Sequence, residues 1–375
     1  MKTKQTNARN GKIEFFRFVF CIIIILFHTN RILSTGGSKE GYELGLFPRG
    51  YIGVEFFYFV SGYLMANSIF LTIEKKETMP FDREYWRFMW RKVLAILPYH
   101  LLAFALLFVQ DWFFNKYNIQ SLVKAFLSEI PGLLLLQRVG FNGQHLNSVE
   151  WYISAMLIAM AVIYIFCRRN FRLYSGVVAP VTAILLMGWI FFNCGAWSGA
   201  GRKMPLTLGY VSLFRAYAEI NMGIFAFRIA KVLERETFSR GEKIFLELLE
   251  MGGYAIAIIY SLFAVPIRFE SIPTLFLLIS VALTFSKINY RENIWNQKVM
   301  SFLGKLSLPL YLNQLFAIYT VRRYAPDWSL TKQSVAILGI VAVLSLITMK
   351  IGDLMLVQIK KSHFNRMIDC QTGKN

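Results

Sequence analysis

Apolar residues in this chain gather in long, nearly unbroken runs rather than in the alternation of a half-buried strand. Crossing about 30 Å of hydrocarbon takes roughly 20 apolar residues in a helix. Ten stretches approach that length: 15–33, 51–71, 93–113, 149–167, 173–193, 207–229, 249–265, 271–287, 302–323 and 333–357. An eleventh, 121–138, is interrupted by Lys124, Glu129 and Pro131, which predicts a surface-lying or re-entrant helix. No repeat with the period of a solenoid or propeller is visible. The expected fold class is all-α, a polytopic membrane protein of about ten transmembrane helices in one membrane-embedded domain, 1–358, with a short tail, 359–375.

Composition agrees with the pattern. Of 375 residues, 56% are apolar and 17% charged, against about 45–50% and about 25% in soluble domains. The first apolar run reads as a retained span: it is too long for a signal-peptide core, no small-residue cleavage site follows it, and it carries Arg17 and His28. The net charge of +19 would suggest nucleic acid in a soluble protein, so the position of the charges decides its meaning. With the N-terminus in the cytoplasm, inner loops and tails hold 25 Lys and Arg and outer loops 11. That asymmetry places both ends inside and accounts for most of the charge by topology, leaving no support for nucleic-acid binding. Cysteines and histidines are scattered without ligand spacing, so neither a disulfide framework nor a metal site is expected.

Ionisable side chains inside spans are functional candidates, because charge in hydrocarbon is costly. In the first span Arg17 and His28 are eleven residues apart, which returns to within about 20° of the same helix face with an axial separation of about 16 Å. One face thus offers a cation at the inner edge and an imidazole in the outer half. In the second span Glu55 lies about 6 Å inside the outer end, a depth matching that of His28. Antiparallel neighbours at equal depth would let the carboxylate orient the imidazole; an interfacial, hydrated Glu55 is the simpler alternative.

Before the third span Arg83, Arg87 and Arg91 recur every fourth residue, flanked by Trp86, Trp90 and Lys92. A guanidinium row suits phosphate, although a basic inner loop flanked by Trp is also expected of any such protein. Arg215 and Glu219, at i and i+4 in the sixth span, read first as an intrahelical pair and second as part of a site. Trp151 and Tyr152, after His145, Asn147 and Glu150 at the outer mouth, offer the polar and aromatic mix that binds sugar, which a membrane-interface belt also shows.

These residues resemble the membrane-bound acyltransferase 3 family. The resemblance rests on Arg17 and His28 as an Arg-x10-His pair, Gly53-Val54-Glu55-Phe56-Phe57 with Ser61-Gly62, the basic stretch Arg87 to Pro98, Trp151-Tyr152-Ile153-Ser154, and Leu303-Gly304-Lys305-Leu306-Ser307-Leu308-Pro309-Leu310-Tyr311-Leu312. Gln314 stands where many members carry histidine, and Met156 where many carry glutamate. The tail after residue 358 leaves no room for the extracytoplasmic esterase-like domain of some relatives. The resemblance implies an O-acyltransferase of a bacterial inner or plasma membrane, moving an acyl group, most often acetyl, from cytoplasmic acyl-CoA to a hydroxyl of a cell-surface or exported carbohydrate or glycolipid. His28 and Glu55 would be catalytic, Arg17, Arg83, Arg87 and Arg91 would bind acyl-CoA, and Trp151, Tyr152, Arg215 and Glu219 would face the acceptor. Acyl-CoA is then a co-substrate, with no permanently bound cofactor, and membrane lipids are the other partners. The alternative from a different class is a transporter or flippase for a glycoconjugate, which also uses intramembrane charges but should show repeat symmetry.

Overall fold

The computed structural model describes residues 10–34, 45–75, 79–139, 145–198, 211–263 and 267–372. It is all-helical, with no strand among the described residues. The principal helices are α1 (Gly11–Leu33), α2 (Ile52–Glu74), α3 (Phe81–Asn115), α4 (Ile119–Ser128), α5 (Ile130–Leu133), α6 (Trp151–Arg169), α7 (Ala179–Cys194), α8 (Val211–Leu233), α9 (Arg240–Leu262), α10 (Ser271–Ser286), α11 (Lys298–Tyr324) and α12 (Leu330–Thr372). Each of the ten apolar stretches falls on one of the longer helices, although 207–210 and 264–265 lie outside the described residues. Helix α12 continues beyond residue 358 into the stretch read as a tail.

Local sequence sets the ends. Asn10 caps α1 by accepting from the Lys12 and Ile13 amides and also donates to the Thr284 carbonyl, so the cap pins α1 to α10. Ser239 and Glu242 form a reciprocal capping box on α9. Pro80 precedes α3, and Lys116 ends it with a positive φ of 51°. Helix α4 has no buried residue and exposes Ile119, Val123 and Leu127 at i, i+4 and i+8, the face of a helix lying on an apolar surface.

Seven segments are long and apolar enough to cross a membrane. Helices α8, α10 and α11 are not among them, and the reason is chemical. Helix α10 has only 16 residues, about 24 Å, while α8 and α11 carry the buried polar residues Arg215, Glu219, Asn221, Ser307, Asn313 and Gln314. They can be this polar because neighbours cover them: α8 packs on α2, α6, α7 and α10, and α11 on α1, α3 and α12. The periphery is apolar instead, with Ile184, Leu185 and Phe192 on α7, Phe245 and Leu248 on α9, and Val335 and Val343 on α12 all exposed.

Close approach of backbones fixes the central pairs. A Cβ on Gly62 of α2 would lie 2.1 Å from the Ile220 carbonyl oxygen of α8, and one on Gly223 would lie 2.2 Å from that of Phe59. Small residues facing each other allow this contact, the usual device where no hydrophobic force separates protein from lipid. At the α1–α11 crossing a Cβ on Gly304 would strike the Glu14 carboxylate. We predict that Gly223→Val forces α2 and α8 apart and destabilises the protein by at least the about 1–3 kcal/mol typical of overpacking. Gly188→Ala, where nothing lies within 4 Å, should leave the melting temperature of the purified protein unchanged; equal melting of both variants contradicts the close packing.

Candidate active site

Helices α1 and α11 share the most extensive helix pairing, and contacts of polar side chains recur along it at heptad spacing on α1, one by packing and two by hydrogen bonds. Glu14 lies against Gly304. Cys21 donates its thiol to the Ser307 carbonyl at 3.1 Å. His28 Nδ1 lies 2.9 Å from Gln314 Oε1. Successive residues on one helix meet successive residues on the other, so the two run in the same direction and the seam climbs from Glu14 to His28.

Arg17 holds one end of that face. Its guanidinium contacts Glu14 at 3.1 Å, and its side chain is 28% exposed. Lys92 of α3 and Tyr152 of α6 lie near enough to interact with its charge, and Lys92 interacts with Arg91 in the same way. Arg83, Arg87 and Arg91 share one exposed face of α3, beside exposed Trp86 and Trp90. Glu84, between them in sequence, turns inward to accept from Arg168 Nε at 2.8 Å and from the Tyr164 hydroxyl at 2.6 Å. Lys92 thus feels the charges of both Arg17 and Arg91, while Arg83 and Arg87 lie farther along the exposed face of α3.

The expected contact between His28 and Glu55 is not formed among the described residues. Glu55 is fully buried and accepts from Arg215 Nη2 at 3.3 Å and from the Thr274 hydroxyl. Arg215 Nε in turn donates to Glu219 Oε1 at 2.5 Å, and Glu270 interacts electrostatically with the same guanidinium. Matching depth along two helices carries no information about azimuth: α2 presents Glu55 toward α8 and α10, whereas His28 faces α11. Arg215 and Glu219 therefore form the expected intrahelical pair and, through Glu55 and Thr274, join three helices.

Trp151 and Tyr152 stand together at the start of α6. The Arg138 guanidinium lies 5.4 Å from the Trp151 ring centroid. The Tyr152 ring packs against Phe57, Tyr58 and Tyr311, and its hydroxyl and that of Ser61 both contact the Met156 sulfur, at 3.5 and 3.3 Å. Tyr152 thus links the Arg17 region to α11, while Arg215 and Glu219 belong to a different cluster.

A second histidine, not marked out by any motif in the sequence, lies at the centre of a buried polar group. His100, fully buried in α3, directs Nδ1 to Glu150 Oε1 at 2.8 Å and Nε2 to the Leu133 carbonyl at 3.0 Å. Asn147 donates to Glu150 at 2.9 Å and to the Leu312 carbonyl at 3.2 Å. The signal was available, since a histidine seven residues into a predicted span is itself a candidate. Both nitrogens are engaged, so this group binds α3 to the connection before α6 and to α11. Outside the spans, His145 Nδ1 lies 3.8 Å from Glu129 Oε2. Burial pushes the Glu129 carboxyl up, and burial followed by the Arg138 charge pushes His145 down, shifts that favour a neutral pair. Among the described residues no group of three or more His, Cys, Asp or Glu is placed to hold a metal.

The family model for the acyltransferase 3 domain, described as an acyltransferase domain, matches residues 10–349. The chain belongs to this family. It is a membrane acyltransferase, and the matched region contains α1 and α11 whole, together with the first half of α12, which packs on both. No match was found among curated proteins or among solved structures.

For this acyltransferase the buried Arg215 cluster yields a stability prediction. Arg215→Met should cost about 3–5 kcal/mol, because it strands buried carboxylates without their cation. Adding Glu219→Gln should recover part of that loss, as expected for contacting residues. Thermal melts of the two variants in detergent check both; a loss no smaller in the double variant would show that the pair is not what Arg215 stabilises.

Proposed function

We propose that the protein transfers an acyl group, acetyl in the first instance, from acyl-CoA to a hydroxyl of a carbohydrate or glycolipid destined for the cell surface, with His28 as general base. The observation that carries this reading is the α1 face, which has the partly exposed Arg17 guanidinium at one end and a half-buried imidazole with one nitrogen already engaged at the other. A donor bearing several phosphates suits the cationic end, including Arg83, Arg87 and Arg91, and the long pantetheine arm suits the about 16 Å between Arg17 and His28. The imidazole takes the proton of the acceptor hydroxyl as its oxygen attacks the thioester carbonyl. The C–S bond then breaks, and the departing thiolate receives that proton, giving an ester and free CoA thiol. Trp151 and Tyr152, at the start of α6, supply an aromatic surface for a sugar ring. Glu55, Arg215 and Glu219 serve as the frame behind this face. Family membership favours this reading over a transporter, as does the absence of visible repeat symmetry in the sequence.

Membranes containing the protein, incubated with labelled acetyl-CoA, should yield a labelled ester product by mass spectrometry. His28→Ala should lower turnover by about 10²–10⁴ with expression unchanged, and wild-type turnover by that variant would remove His28 from the chemistry. Arg17→Ala should chiefly raise the KM for acetyl-CoA, with Lys restoring it only in part because it lacks the bidentate fork. An unchanged KM in Arg17→Ala would make this residue an anchor only.

A further inference from the structure

The glutamine that stands where histidine is frequent is the only hydrogen-bond partner of His28 among the described residues, and its geometry determines where the imidazole carries its proton. Gln314 is fully buried. Its Nε2 donates to the Tyr311 carbonyl at 2.7 Å, and a carbonyl oxygen only accepts. The amide therefore has one orientation: the flipped form would set Oε1 against the Tyr311 oxygen, two acceptors facing each other in a buried site. The remaining end of the amide, Oε1, faces His28 Nδ1 at 2.9 Å. An amide oxygen also only accepts, so Nδ1 must carry a hydrogen. In the neutral imidazole Nε2 is then the unprotonated nitrogen with its lone pair available.

The turn that carries Gln314 is itself held in place. Tyr311 donates its hydroxyl to the Val149 carbonyl, and the Leu312 carbonyl accepts from Asn147 at 3.2 Å. Asn147 is in turn fastened to Glu150, the partner of His100. The segment just before α6 thus holds α11 at two consecutive residues, by the Tyr311 side chain and the Leu312 carbonyl, within one turn of Gln314. The amide inherits that rigidity.

We propose that Gln314 is a positioning residue for the reaction assigned above to His28: it holds the imidazole as the Nδ1–H tautomer and so reserves Nε2 for the acceptor proton. The proposal rests on His28 being the base, but the tautomer itself is a property of the resting protein. A carboxylate at this position would both orient the ring and offset its charge after proton uptake. An amide supplies the orientation alone, and its task is complete before substrate arrives.

The test uses the full chain in lipid nanodiscs with ¹⁵N-labelled histidine, at about pH 8, above the ordinary histidine pKa of about 6.5. The His28 signals are assigned by their loss in His28→Ala. The wild type should show a protonated Nδ1 and an unprotonated Nε2; the opposite pattern overturns the proposal. Gln314→Leu removes the acceptor and should abolish that preference while lowering kcat for acetyl-CoA-dependent transfer at least about tenfold, part of what general-base catalysis contributes, with KM for acetyl-CoA unchanged. Gln314→Glu keeps an acceptor oxygen and should retain the Nδ1–H tautomer, which holds the proposal to account even where the Leu variant fails to fold. A Leu variant that transfers at the wild-type rate, or loses only KM, also overturns it. If no form transfers from acetyl-CoA yet Nδ1–H is found in the wild type and lost in Gln314→Leu, the proposed function fails while the role of Gln314 in fixing the tautomer stands.

Discussion

Polar groups in the interior of this bundle need partners within the protein, because lipid supplies none. The α1–α11 seam is where that requirement is met most economically. Its contacts at Glu14, Cys21 and His28 repeat every two turns, the spacing at which two parallel helices keep the same faces together. A rotation of either helix that lost one of these contacts would misalign the others. The orientation of His28 is thus a consequence of the packing of the whole seam.

Ion pairs complete the lattice in which that seam sits. Lys12 of α1 meets Glu250 of α9 at 2.9 Å, with both side chains buried, and Thr284 of α10 donates to the same carboxylate at 2.6 Å. Arg215 joins α8 to α2, and Arg168 joins α6 to α3. Buried pairs contribute little net stability over apolar residues of equal size, but an unmatched member is expensive. Their effect is to exclude alternative helix arrangements that would leave a charge alone. This explains how α8 and α11, with less apolar sequences than their neighbours, occupy the centre.

Helix positions and within-helix geometry were legible in the sequence. Apolar run length located the long helices, 100° per residue put Arg17 and His28 on one face, and i, i+4 spacing paired Arg215 with Glu219. Relations between helices were not legible, because one chain read alone gives the height of a residue but not the direction in which its helix is turned. Glu55 shows the difference: its depth was inferred, and its partner was not. Gln314 was noticed as a departure from a family pattern, yet its significance depends on the Tyr311 carbonyl and the His28 ring meeting it from opposite sides. His100 and Glu150 are 50 residues apart, and only the folded chain brings the two together.

Helix α3 is fastened at three heights by four residues. Glu84 is held by α6, Tyr99 by Asp353 of α12 at 2.7 Å, His100 by Glu150 before α6, and Gln110 by the Phe316 carbonyl and Thr320 hydroxyl of α11. Its 35 residues measure about 52 Å, well beyond the roughly 30 Å of the hydrocarbon layer. A rod pinned along its length behaves mechanically as a strut, and it transmits tilt instead of absorbing it. Bilayer thickness sets how far long helices lean, so a thicker or thinner membrane that rocks α3 rocks α6, α11 and α12 along with it, and the surrounding lipid acquires mechanical leverage on the helices that frame His28.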